Sequence, residues 1–170
     1  KEINFIFTNK LINNYNKICS NFLFGLLLKS YSFSKYKKEF NNNYAISTIN
    51  VFSSKGKKLK NFNYINNLLL SINYAKDLVS EPANVLNPLT YSEKCLKLRK
   101  IGLKVKIIDK EQLKKIGMES LLGVSQGSIN EPRVVIFEWN LKKYKKPIIL
   151  VGKGVTFVTG GISLKPDRKS

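Results

Sequence analysis

Residues 147–166 read PIILVGKGVTFVTGGISLKP, an apolar run that passes directly into a glycine-rich loop. The run at 147–151 predicts a buried strand, because short apolar segments bounded by proline and glycine are typical of one. Open α/β sheets bind ligands beyond the carboxyl ends of their strands, so the loop is where chemistry is expected. It matches neither the phosphate-binding P-loop pattern nor G-x-G-x-x-G. A plain strand-to-loop turn and a phosphate-cradling loop both remain open at this point.

Upstream of this stretch, helical and strand patterns alternate. Apolar spacing predicts helices near 63–79 and 88–100 and a short helical piece at 121–124, with strands at 103–108 and 133–139. Such alternation is typical of a largely parallel α/β sheet with helices on its faces. We therefore expect an α/β fold over residues 61–165.

Local signals mark where several of these elements begin and end. Asn87 suits a helix N-cap, and Pro88 suits the first helical position, where a missing N–H costs nothing. Gly102 and Gly117 suit left-handed helix ends. Asp109, followed three residues later by glutamine, is typical of a capping box.

The first 60 residues are less regular. The run FLFGLLL at 22–28 is too short to span a bilayer and lacks a signal-peptide cleavage site, so a buried helix or strand is predicted. Residues 44–52 predict a strand, and the polar stretch 53–60 predicts a linker. The predicted domains are accordingly 1–60 and 61–170.

Composition excludes several classes of function. The chain contains no histidine, which rules out a Ser-His-Asp triad, a Cys-His pair and a His-ligated zinc site. Its cysteines, Cys19 and Cys95, show no motif spacing, which favours a reducing compartment over a disulfide framework. The chain begins with lysine and runs out shortly after the glycine-rich loop, so we expect a piece of a longer protein.

The formal charge of +19 raises the question of a polyanionic partner. The basic residues are 27 lysines and 3 arginines, whereas specific phosphate and guanine sites favour the bidentate guanidinium. Lysine, asparagine, isoleucine, phenylalanine and tyrosine also share AT-rich codons. A solvated lysine surface is therefore favoured, and any nucleic-acid binding is expected to be weak and independent of sequence.

The glycine-rich stretch resembles the metal-binding signature of the leucyl (cytosol) aminopeptidase family almost letter for letter, as VGKGVTF-x-TGGISLKP. The resemblance continues in KDLVSEPANVLNP at 76–88, in 102–109 and 117–122, and in QGSINEPR at 126–133. Residues 25–36 resemble the end of the family's amino-terminal domain. The resemblance implies the end of a small α/β amino-terminal domain, followed by the first part of a mixed, largely parallel-sheet catalytic domain.

The family resemblance also implies a function. It implies a cytoplasmic homo-hexamer, with no membrane association, that releases amino-terminal residues from peptides and prefers leucine. Two divalent ions, manganese or zinc with magnesium as a third option, would perform two-metal hydrolysis.

Three positions of the motif carry roles in the family. Lys153 matches a lysine that ligates one metal, and Lys165 matches the catalytic lysine that stabilises the oxyanion. Val158 stands where the family has an aspartate that bridges both metals. The family's other carboxylate ligands would lie beyond Ser170. We therefore expect this chain to be inactive as given. The alternatives are a non-catalytic protein that binds nucleic acid weakly on the same fold, and a decaying remnant with no selected role.

Overall fold

The computed structural model describes residues 2–7, 15–38, 48–53, 61–139 and 146–156. These residues belong to two compact units, Lys1–Ser80 and Glu81–Ser170. The predicted division after residue 60 differs by twenty positions from this one, and the assignment of residues 61–80 to a catalytic domain stays a prediction.

The first unit is built on a β-α-β arrangement. Strand β1 (Glu2–Phe7) pairs in parallel with β2 (Thr48–Ser53), with Glu2 opposite Thr48 and Phe7 opposite Ser53. Helix α1 (Tyr15–Ser30) lies between them in the chain, as a parallel pair requires a long crossover connection. The predicted strand at 44–52 is confirmed over its second half, whereas 44–47 lie outside the described residues. The apolar run at 22–28 is helical.

Helix α2 (Phe62–Ser80) completes this unit and packs on α1. The buried apolar side chains that the structure describes here are Cys19 and Leu23 of α1 and Leu69 of α2. The Phe5 ring meets the Phe22 ring edge-on, with centroids 4.9 Å apart. Apolar burial is the main favourable term in folding such a unit, and the ring contact links α1 to β1.

A polar contact joins the end of α1 to α2. The Tyr31 hydroxyl donates a hydrogen bond to Asp77 Oδ1 at 2.7 Å. The Lys76 ammonium lies 4.8 Å from the centre of the Tyr31 ring and donates to the Leu28 carbonyl at 3.4 Å. Because α1 leaves its last carbonyls without helical partners, the Lys76 contact satisfies one of them.

The second unit contains α3 (Pro88–Lys97), a 3₁₀ turn (Leu98–Ile101), β3 (Lys104–Ile108), α4 (Lys110–Lys115), α5 (Glu119–Ser125) and β4 (Val134–Glu138). Most of the described buried side chains of this unit are apolar or small, and they come from the loop before α3 and from α3, β3 and α4. They are Leu86, Ser92, Cys95, Val105 and Leu113, and the charged Glu81 is buried with them. The predicted helices and strands from 63 to 139 are thus confirmed within a few residues at each end.

Two sequence predictions need correction in this unit. The pair β3–β4 is antiparallel, with Lys104 opposite Glu138 and Ile108 opposite Val134, rather than parallel. An apolar strand pattern does not encode direction, and the antiparallel register places Lys104 Nζ 3.4 Å from Glu138 Oε2. The predicted buried strand at 147–151 is wrong: these residues form neither helix nor strand and are exposed. A strand needs a hydrogen-bonded neighbour, and no described residue pairs with them.

The α/β class itself is confirmed, and so are the local start and stop signals. Asn87 Oδ1 accepts hydrogen bonds from the backbone N–H groups of Leu89 and Thr90, both at 3.0 Å. The Thr90 hydroxyl accepts one from the Asn87 N–H at 3.0 Å, which closes a capping box. Asp109 and Gln112 form the second box. Gly102 and Gly117 have φ of 94° and 75°, the left-handed region predicted for them.

Replacing Asn87 with alanine removes two acceptor contacts at the start of α3. We expect the Asn87→Ala variant to lose about 1 kcal/mol of unfolding free energy, measured by urea titration. Asn84→Ala is the matched control, since the Asn84 side chain is exposed and makes no hydrogen bond within the described residues. Equal stability of the two variants would show that the cap does not hold α3.

Two glycines should respond to alanine in opposite directions. A Cβ on Gly102 would lie 3.7 Å from the Trp139 ring, an ordinary contact, so the cost of Gly102→Ala comes from its positive φ. We expect a loss of about 1–2 kcal/mol. Gly123 is helical with no atom within 4 Å of a built Cβ, so Gly123→Ala should gain about 0.5–1 kcal/mol. Urea midpoints that shift in the same direction would contradict this account.

Candidate functional site

The glycine-rich loop begins in the described segment 146–156. Lys153 is exposed and lies between Gly152 and Gly154, neither of which would meet an atom within 4 Å if a Cβ were added. No ion pair joins Lys153 to a carboxylate among the described residues. Among the described residues, the Lys153 amine therefore lies at an open surface with no carboxylate paired to it.

The other two predicted site residues, Val158 and Lys165, lie outside the described residues. Of the three positions, the structure describes Lys153 alone. Their roles as metal ligand, bridging position and oxyanion-stabilising lysine stay predictions.

The donor set of the described residues does not fit a divalent ion. They contain no group of three or more histidine, cysteine, aspartate or glutamate side chains placed to hold one. A lysine amine offers a lone pair only when it is neutral, and a valine side chain offers none. We derive no reaction step through a metal on these residues.

The structure also limits nucleophilic chemistry at the two thiols. Cys95 and Cys19 are free and buried, at 3% and 0% exposure. Burial raises the pKa of the Cys95 thiol, while a hydrogen bond with Tyr91 lowers it by less. Since the thiolate is the reactive form, Cys95 is a core residue rather than a nucleophile.

Tyr31 is the other described group with a displaced pKa. Desolvation raises the pKa of its hydroxyl first, and the hydrogen bond to Asp77 raises it further, against a smaller lowering by Ser80. A tyrosine with a raised pKa stays neutral and keeps its hydroxyl as a donor. The interaction serves the junction of α1 and α2.

Arg133 is a polar residue that the apolar strand pattern at 133–139 did not single out. It directly precedes β4, its guanidinium lies 3.5 Å from the Glu131 carboxylate, and its Nε is buried with no partner among the described residues. The sequence signal for it is the pair of opposite charges on either side of Pro132, in front of an apolar run.

The described helices include none long and apolar enough to cross a membrane.

Comparison with known proteins supports the family resemblance of the glycine-rich loop. The model of the cytosol aminopeptidase family, catalytic domain, matches residues 73–170, which is more than half of the chain. A probable cytosol aminopeptidase of Brucella suis is 44% identical over 149 residues, covering 84% of this chain and 30% of that protein. The corresponding protein of Phytoplasma australiense is 39% identical over 160 residues, covering 93% and 32%. The chain thus spans about a third of the length of these relatives.

Solved structures show the same fold. A mutant of tomato leucine aminopeptidase superposes with a TM-score of 0.70 at 20% identity, covering 84% of this chain and 30% of that one. The bottromycin maturation enzyme BotP in complex with Mn gives 0.57 at 18% identity, covering 79% and 29%. From the match of the family model, the chain belongs to the cytosol aminopeptidase family.

Proposed function

We propose that this chain carries the first part of the catalytic domain of a metal-dependent aminopeptidase that releases amino-terminal residues, leucine preferred, from peptides. The observation that supports this proposal is the family match over residues 73–170, which includes the whole glycine-rich loop. Family membership supports the class of reaction. The proposed preference for leucine rests on the resemblance of the glycine-rich loop.

Within this proposal Lys165 is the catalytic residue. Its ammonium stays charged and stabilises the oxyanion that develops when the scissile carbonyl is attacked. Lys153 is a metal ligand and must be neutral to serve as one, which burial and nearby cations would favour. In the complete enzyme two divalent ions, manganese or zinc with magnesium as a third option, would supply an activated water.

The described surroundings of Lys153 do not supply that environment. Its side chain is exposed, and no ion pair joins it to a carboxylate among the described residues. A lysine amine ligates a metal ion only through a free lone pair. A working site therefore needs acidic groups that attract ions to this loop and further residues that bury it.

Val158 adds a second obstacle that belongs to this sequence. Two dications a few ångströms apart repel each other strongly in a low-dielectric site, and a bridging carboxylate offsets that repulsion. An isopropyl group supplies neither charge nor a donor atom. We therefore propose that the 170-residue chain is inactive by itself and binds divalent metal poorly.

The remaining features of the proposal follow the family. We propose a cytoplasmic homo-hexamer for the whole protein, with peptides as its substrates. As an alternative on the same fold, the lysine excess allows weak, sequence-independent nucleic-acid binding, because counterion release favours contact of any polycation with phosphates. A fall of affinity with salt, the same for unrelated DNA sequences, is the property that would distinguish such binding.

The Val158→Asp variant tests the proposed defect. In the 170-residue chain we expect no hydrolysis of a leucine anilide, with or without added manganese, for the wild type or the variant, because a single carboxylate does not complete the donor set. In a longer polypeptide that also supplies the family's remaining acidic ligands, Val158→Asp should raise turnover by at least about a hundredfold, since the site then holds both ions.

Val155→Asp is the matched control, since it adds the same carboxylate three residues earlier at an exposed side chain of the same loop. It should leave the longer polypeptide inactive. Turnover by the unmodified 170-residue chain that a chelator abolishes would refute the proposed defect.

A further inference from the structure

We draw no further inference here: the strongest candidate, the side-chain cluster of Tyr31, Lys76 and Asp77 where the end of α1 meets α2, serves the packing of those two helices already described, and no described residue beside it points to a ligand or a partner.

Discussion

Every backbone N–H and C=O that leaves water needs a partner, and this requirement determines which apolar runs of the chain become strands. Glu2–Phe7 and Thr48–Ser53 satisfy each other in parallel, and Lys104–Ile108 and Val134–Glu138 do so antiparallel. The run at 148–151 is at least as apolar as these, yet it is not a strand, because none of the described residues pairs with it. Hydrophobicity selects the candidates, and a neighbour makes the strand.

The same distinction separates what the sequence could predict from what it could not. The caps at Asn87 and Asp109 depend on atoms within three residues, so they were readable from the sequence and are present. The left-handed turn at Gly102 is equally local. The direction of the β3–β4 pair depends on residues thirty positions apart, and an alternating pattern is the same in both directions. The helix caps and the glycine turn were therefore predictable from the sequence. The direction of the β3–β4 pair and the exposure of residues 147–151 were not.

The candidate site shows this dependence at the level of single atoms. The letters around Lys153 identify the family, yet the residue's chemistry follows from its surroundings. A lysine amine becomes a metal ligand only where burial and nearby metal ions favour its neutral form. Lys153 is exposed, and no ion pair joins it to a carboxylate among the described residues. A lysine at position 153 is thus required for the family's chemistry, but its role as a metal ligand also depends on the groups around it.

The lack of a carboxylate at position 158 and the excess of lysines both make the glycine-rich loop more cationic. In a chain with a net charge of +19, a carboxylate near a cationic loop lowers the local positive potential. Position 158 is where the family resemblance expects such a carboxylate. Valine there leaves the loop with Lys153 and Lys165 and no acid between them in sequence. A sequence of that composition offers divalent cations like charge rather than ligands, so the family's chemistry requires acidic groups that this loop does not itself supply.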